Sequence, residues 1–203
     1  ADLGGDGLGG PGLRHALYRV LAHVGRGSLP IGRLFEGHVN ALDLAMTYGT
    51  DRQRARAADD AHAGHVFGVW NTGAADDVTL TPTADGAMLH GAKVFCSGAS
   101  ADARPGHAVT RAFANGAWTA PGDARDGGWQ MVLVDLDGQG ERVVPDSWPA
   151  EGMRASTSGR VVFDGMRVAD DALVGEPGDY LREPDFNGGA VRFAAVHVGG
   201  AEA

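Results

Sequence analysis

Cysteine is nearly absent from the sequence, since Cys96 is the only one in 203 residues. A single thiol cannot close a disulfide within the chain, which argues against a small secreted fold built on disulfides. Long apolar runs are missing too, because no stretch approaches the about 18 consecutive apolar residues of a membrane-spanning helix. These absences predict a soluble protein of a reducing compartment, and we expect it to be cytoplasmic.

Positive charge is also scarce. The chain has 17 Lys and Arg against 26 Asp and Glu, a formal net charge of -9, and it contains no basic run of five residues. An acidic surface of this kind is repelled by phosphate backbones and anionic lipid. We therefore expect that the protein binds no nucleic acid and that it has no membrane-spanning segment.

The two ends lack the usual signals of a complete chain. The sequence has no initiator methionine, charged leader or apolar signal region. The run after Pro184 reads as the first turns of an apolar helix that stops without a cap. We expect a fragment of a longer protein.

The apolar pattern of the chain changes once. Up to residue 64, apolar residues recur at three and four positions, which is typical of amphipathic helices. Thr50 and Gln53 form a capping-box signal within this region. From Val66, short apolar runs are separated by turn dipeptides, which is typical of strands. Two of these dipeptides, Asp85-Gly86 and Asp164-Gly165, predict tight hairpins.

These patterns predict an α+β fold in three parts. Residues 1–64 form a partial N-terminal helical domain, and residues 65–175 form an antiparallel β-barrel. Residues 176–203 hold a linker and the first helix of a truncated C-terminal helical domain. Within the barrel, residues 101–128 are predicted to be mostly loop, with one strand at 108–113.

Three patterns that could suggest function favour a structural interpretation. The glycines of residues 5–10 match G-x-G-x-x-G, but no strand precedes them, so a turn is favoured over a dinucleotide loop. His62 and His65 lack a Cys or Glu that would complete a metal set, so they are predicted to be solvated. His90 and Cys96 would lie roughly 20 Å apart on a strand, too far for a catalytic pair.

Two segments are more informative, residues 67–72 and residues 91–98. Each ends an apolar strand with a small polar group next to an aromatic residue. A flat heteroaromatic cofactor needs apolar surface against its faces and hydrogen-bond donors at its edge. On the residues alone, ordinary core packing of Trp70 and Phe95 remains the favoured interpretation.

The order of segments along the chain resembles a known family. GGPG, YGTDRQRARAADD, FGVWNT, LHGAKVFCSGAS, MVLVDL and GMRASTSGRVVFDGMRV follow one another as in the N-terminal and middle domains of acyl-CoA dehydrogenases. The similarity covers roughly residues 4–203. It implies a β-barrel between helical domains, with FAD bound so that its flavin lies against barrel strands.

The resemblance also implies which residues contact the flavin: Val69, Trp70, Asn71, Thr72, Phe95, Cys96 and Ser97. Phe95 and Ser97 stand where the family has an aromatic residue and a hydroxyl that reaches flavin N5. Trp70 departs from a family threonine, so we expect Thr72 to supply that hydroxyl. Asp76 replaces a serine near the pantetheine, and Arg192 resembles an arginine near CoA.

The implied reaction is α,β-dehydrogenation of an acyl-CoA thioester, a step of fatty acid metabolism. A carboxylate removes the α-proton while the β-hydrogen leaves as hydride. We expect this base in the C-terminal domain outside the chain, and we interpret Glu176, Glu183 and Glu202 as solvated. The resemblance further implies an electron-transfer acceptor and a homo-oligomer.

Two other functions remain open. The same scaffold could serve a flavin-dependent monooxygenase, in which a heteroatom substrate replaces the thioester, and the unusual Trp70 and Asp76 favour it. A non-catalytic scaffold subunit that binds flavin or acyl-CoA is favoured by the missing base.

Overall fold

In a computed structural model, which describes residues 11–73 and 75–203, three helices precede the strands. Helix α1 spans Pro11–Gly27, α2 spans Leu29–Tyr48 and α3 spans Asp51–His62. The predicted capping box starts α3: the Thr50 hydroxyl accepts from the Gln53 backbone, and the Gln53 side chain accepts from the Thr50 backbone. Among the described residues, every helix is too short or too polar to cross a lipid bilayer.

Eleven short strands follow in the described ranges, and a fourth helix, α4 (Asp185–Ala201), packs across α1 and α2. The strands are β1 Val66–Val69, β2 Thr79–Thr83, β3 Gly86–His90, β4 Ala92–Cys96, β5 Val109–Phe113, β6 Gly116–Trp118, β7 Trp129–Asp135, β8 Val143–Val144, β9 Gly159–Val162, β10 Met166–Ala169 and β11 Leu173–Val174. Strand β6 lies inside the stretch that was predicted to be loop.

The strands form one large and one small sheet. The large sheet has the order β1-β5-β7-β6-β2-β3-β10, with β11 beside β7, and the small sheet has the order β4-β9-β8. The predicted α+β class is confirmed, but the prediction of an antiparallel β-barrel is wrong for the described residues, because the pairs β1–β5 and β2–β6 are parallel and the large sheet is a curled half-barrel. Parallel pairing needs a long crossover. The chain from β2 to β4 provides one between β1 and β5.

The two predicted hairpins have different outcomes. Strands β2 and β3 form the predicted hairpin, but Thr83 lies opposite Gly86, so the two turn residues are Ala84 and Asp85 and Gly86 belongs to β3. Asp164-Gly165 also forms a turn, in which Gly165 has a φ of 69°. The strands on either side separate, however, since β9 pairs with β4 and β10 with β3. The hairpin prediction at this turn is therefore wrong, because the chain changes sheet there.

Two hydrophobic clusters hold these layers together. The larger lies within the curled sheet and includes Leu80, Leu89, Trp118, Val132 and Phe163. The smaller lies between the sheet and helices α2 and α3, and includes Phe67, Phe113 and Met131. Val69 at the end of β1 packs against the smaller cluster, so the predicted cofactor segment begins where sheet and helices meet.

Helices α1 and α4 approach closely because glycines line their contact. A Cβ atom at Gly199 would lie 1.9 Å from the Ala22 carbonyl oxygen, and one at Gly25 would lie 2.2 Å from that of Val196. Only glycine fits at such distances. This contact holds α4 against the N-terminal helices and thereby places Arg192 over α2.

Candidate flavin site

The structure brings the two predicted cofactor segments side by side. The Trp70 indole N–H donates to the Ser97 carbonyl at 3.1 Å, and the Val94 backbone N–H donates to the Thr72 carbonyl at 3.0 Å. Gly73 continues the contact as an antiparallel bridge to Lys93. Residues 69–73 and 93–97 therefore run antiparallel and in contact, and we call them the paired segments.

Side chains of the paired segments divide between core and surface. Trp70 is 3% exposed and Cys96 is fully buried, and both belong to the larger cluster. Burial raises the pKa of the Cys96 thiol, so it stays protonated at neutral pH. Thr72 is exposed and Ser97 is half-buried, whereas Asn71 is half-buried with its side-chain oxygen in the interior. Polar groups are thus displayed along a backing of Trp70.

Phe95 has an unusual backbone conformation within this site. Its φ is 56°, in the left-handed region, where the register of β4 against β9 shifts between Lys93 and Cys96. For a bulky residue this conformation costs roughly 1–3 kcal/mol, and such strain concentrates at functional sites. The bulge turns the ring outward, where it is 59% exposed and touches Trp148 edge-on at 5.8 Å between centroids.

Lys93, in the second of the paired segments, is the only lysine of the sequence, and its side chain is completely buried. Its ammonium donates to Asp77 Oδ1 at 2.5 Å, lies 3.5 Å from the Asn71 carbonyl oxygen and 4.9 Å from the centre of the Trp129 ring. Burial lowers the Lys93 pKa, and Asp77 partly opposes this change. Lys93 ties Asn71 and Asp77 to β4.

An apolar cavity of about 370 Å³ adjoins the end of β4. His38 on its wall is neutral, because the Phe67 backbone N–H donates to its Nδ1 at 3.1 Å and burial lowers the His38 pKa. The proton of His38 therefore resides on Nε2. The lining residues are Ile31, Leu34, Phe35, His38, Val66, Gly98, Gly106, His107, Ala108, Val109 and Thr157.

A second, smaller cleft of about 40 Å³ lies between α2, β1 and α4. It is lined by Asn40, Leu44, Val69, Tyr180, Asp185, Phe186, Gly189 and Arg192. The structure thus brings the predicted residues Val69 and Arg192 into one cleft. Arg192 is 6% exposed, donates through Nε–H to Asn40 Oδ1, and lies 3.2 Å from Asp43 Oδ2. Four of the eight lining residues have polar side chains.

The other predicted substrate residue has different surroundings. Asp76 is half exposed and forms an ion pair with Arg160 on β9. The hydrogen bond from Arg160 lowers the pKa of the Asp76 carboxyl. Asp76 and Arg192 therefore have separate partners, one on the small sheet and one on α2.

The glycine pattern and the two histidines singled out in the sequence can also be compared with the structure. Residues 5–10, with the G-x-G-x-x-G pattern, lie outside the described residues. His62 is exposed, as predicted, whereas His65 is half-buried and bonded to Thr110 Oγ1 at 2.8 Å. The solvated interpretation of His65 is wrong, because β5 packs beside the end of α3.

Sequence reasoning missed the polar residues that neighbour the site, Glu36, Asn40, Ser158 and Tyr180. Glu36 is 2% exposed inside α2 and is bonded to Arg33 and Asn40. Its only sequence signal is a carboxylate in a helix rich in apolar residues. Ser158 and Tyr180 carry no local signal, since tertiary folding alone brings them near the paired segments.

Glu36 predicts a pH dependence of stability. Burial raises the pKa of the Glu36 carboxyl above its ordinary value of 4.5, although Arg33, Arg192, Asn40 and His197 all favour the ionised form. Because the folded chain holds this proton more tightly than the unfolded chain, the stabilisation is complete below pH 4.5 and is lost as pH rises through the raised pKa. We expect Glu36→Gln to flatten this fall.

Urea unfolding from pH 4.5 to neutral pH measures the slope. Glu141→Gln, which changes an exposed glutamate, serves as the control and should leave the slope unchanged. Equal slopes in the wild type and Glu36→Gln would show that burial of Glu36 does not govern its protonation.

Comparison with known proteins rests on structure. No family model matches the sequence, and a search of curated proteins finds no relative. Dibenzothiophene monooxygenase TdsC from Paenibacillus sp. A11-2 matches with a TM-score of 0.73 and 24% identity, over 92% of this chain and 47% of that one. TdsC structures include one with FMN bound and one with FMN and indole.

Two further structures match as well. FkbI, a protein for biosynthesis of a methoxymalonyl extender unit, has a TM-score of 0.73 and 23% identity over 97% of this chain and 57% of its own. Butyryl-CoA dehydrogenase from Megasphaera elsdenii has a TM-score of 0.71 and 17% identity over 90% and 48%. The chain spans about half the length of the solved structures it matches. Its fold is that of the acyl-CoA dehydrogenases.

Proposed function

We propose that the chain binds a flavin at the paired segments and contributes this site to a flavin-dependent oxidation. The observation that carries the proposal is the meeting of residues 69–73 with residues 93–97, joined by the Trp70–Ser97 hydrogen bond. Structures with this fold include proteins with bound FMN and an acyl-CoA dehydrogenase, which supports a flavin here.

The residues present fit a flat heteroaromatic group. The Asn71 side-chain oxygen is buried and has no hydrogen-bond partner in the described structure, an unusual condition for a buried polar atom. Phe95 exposes its ring, and Thr72 and Ser97, which carry hydroxyls, belong to the same paired segments. A flat ring with polar edge atoms would cover the exposed face of Phe95 and give the Asn71 oxygen a hydrogen-bond partner.

In this proposal, Phe95 packs against the flavin, while Asn71, Thr72 and Ser97 bond to its edge. Val69, Trp70 and Cys96 lie behind the flavin and keep water from the side that faces the core. Trp70 and Cys96 are themselves buried. A bound flavin supplies the acceptor for two electrons and a hydrogen. We propose FAD, with FMN as the alternative.

For the reaction itself we propose α,β-dehydrogenation of an acyl-CoA thioester. Arg192 on the cleft wall and Asp76 on the loop are the proposed substrate contacts. The same proposal includes four further points. A carboxylate acts as the general base and a separate acceptor takes the electrons. The protein forms a homo-oligomer and is located in the cytoplasm.

Flavin-dependent monooxygenation is a second candidate that a specific observation favours. The cleft beside Val69 presents Asn40, Tyr180, Asp185 and Arg192, whereas an alkyl chain gains most from an apolar wall. The match to a dibenzothiophene monooxygenase adds support. Octanoyl-CoA turnover with an artificial acceptor would favour dehydrogenation. Oxygen uptake when reduced flavin is supplied, without such turnover, would favour monooxygenation.

Flavin titration tests the site directly. We expect the chain to quench FAD or FMN fluorescence, and Phe95→Ala to weaken binding about 2- to 12-fold, because an aromatic contact contributes about 0.5–1.5 kcal/mol. Phe193→Ala is the matched control, since Phe193 is 45% exposed on α4 outside the paired segments. Failure of the wild type to bind either flavin would rule the proposal out.

A further inference from the structure

Three serine hydroxyls form a continuous chain that ends at the paired segments. Ser156 Oγ lies 2.8 Å from Ser158 Oγ, and Ser158 Oγ donates to Ser97 Oγ at 3.2 Å. Ser156 also donates to the Met153 carbonyl at 2.7 Å. Ser156 is fully buried, so this chain of hydroxyls runs from the interior outward to Ser97.

The geometry of the contact with Ser97 sets the direction of this chain of hydroxyls, since Ser158 Oγ is its donor. Each hydroxyl carries one proton and two lone pairs. Because Ser158 directs its proton to Ser97, the contact between Ser158 and Ser156 uses the proton of Ser156, which is shared with the Met153 carbonyl. Ser97 accepts within the chain, and its own proton is left to point elsewhere.

The loop that carries Ser156 and Ser158 is held firmly in place. The Gly98 backbone N–H donates to the Ser156 carbonyl at 2.8 Å, directly beside Ser97. Met153 and Thr157 have φ values of 59° and 43°, both in the left-handed region. Conformations of this kind persist where surrounding contacts enforce them. The loop therefore sets the distance between the hydroxyls of Ser158 and Ser97.

We propose that Ser158 is a positioning residue that holds the Ser97 hydroxyl as a hydrogen-bond donor to the bound flavin. This inference rests on the proposed flavin site, with Ser97 facing N5. N5 of an oxidised flavin is a bare acceptor, whereas N5 of a fully reduced flavin carries a hydrogen. A hydroxyl fixed as a donor therefore favours the oxidised form, and a chain of hydroxyls strengthens that donor.

Affinities for the two redox forms test the proposal. Removing Ser158 frees Ser97 to rotate. Ser158→Val should therefore weaken binding of oxidised FAD or FMN about 2- to 12-fold, the equivalent of one hydrogen bond, and change binding of the reduced flavin less than about twofold. Ser158→Thr, which matches valine in size and keeps the hydroxyl, should restore the wild-type ratio of the affinity for oxidised flavin to the affinity for reduced flavin. The combined Ser97→Ala and Ser158→Val variant should match Ser97→Ala alone.

Ser147→Ala is the control, because the Ser147 hydroxyl bonds to the Val144 carbonyl and the Arg160 backbone N–H and is not part of the serine chain. Equal weakening of both redox forms by Ser158→Val, with the fold retained by circular dichroism, would assign Ser158 a structural role and overturn the proposal. An unchanged ratio would overturn it too. If Ser158→Val does not fold, the same ratios measured for Ser158→Ala and Ser158→Thr decide the matter. A wild type that binds neither flavin removes the proposed function itself, an outcome distinct from these.

Discussion

Replacing Arg192 by alanine is expected to lower the free energy of unfolding by about 3–5 kcal/mol, the usual effect of removing one partner from a buried ion network. Arg192 is 6% exposed and faces Asn40 and Asp43 on α2, and its charge also acts on Glu36. Its loss would leave the buried carboxylates of Glu36 and Asp43 with less positive charge beside them. Urea unfolding at neutral pH measures the change.

An exposed arginine on a neighbouring segment provides the control. Arg182 is 64% exposed and pairs with Asp179, so Arg182→Ala should cost less than about 1 kcal/mol. Adding Glu36→Gln to Arg192→Ala should cost less than the sum of the two changes, because the residues share one network. A loss as small as that of Arg182→Ala would mean that water replaces the missing cation, and the network would not be structural.

Replacing Lys93 by alanine is expected to lower the free energy of unfolding by about 2–5 kcal/mol, the range for emptying a large buried side chain. The change also removes the partner of Asp77 and the contact with the Asn71 carbonyl. Lys93→Met should cost less, because it keeps the volume of the stem. Since Lys93 holds Asn71 and Asp77 against β4, Lys93→Ala should also weaken flavin binding.

Amine labelling gives a second measurement for Lys93, because the sequence has no other lysine. In the folded chain the ammonium is fully buried, so it should react with an amine reagent far more slowly than in the urea-unfolded chain. Mass spectrometry of the peptide that contains residue 93 reads this directly. Equally fast labelling in folded and unfolded chains would show that the site opens freely.

Part of the fold could be predicted from local patterns. The capping box at Thr50 and Gln53 formed as predicted because both of its hydrogen bonds lie within one turn of chain. The hairpin between β2 and β3 also formed, since a short turn and its flanking strands are neighbours in the chain, although its turn residues are Ala84 and Asp85 instead of Asp85 and Gly86. The order of segments was enough to indicate the acyl-CoA dehydrogenase fold.

Features that depend on distant partners could not be predicted in this way. The turn at Asp164-Gly165 has the same local chemistry as the first hairpin, but its two strands pair with β4 and β3 in different sheets. The parallel pairing of β1 with β5 also depends on a long crossover that no local pattern specifies. The barrel prediction failed for this reason.

The candidate site shows the same division. The sequence by itself determined which short segments end in an aromatic residue and a hydroxyl, because strand pattern and residue type are local properties. Only the tertiary structure decided that Trp70 turns inward to Ser97, that Phe95 turns outward, and that Ser158 reaches Ser97 across 61 positions of chain. Side-chain direction and hydrogen-bond partners depend on which distant strand lies alongside, and that is settled when the two sheets and the helices pack.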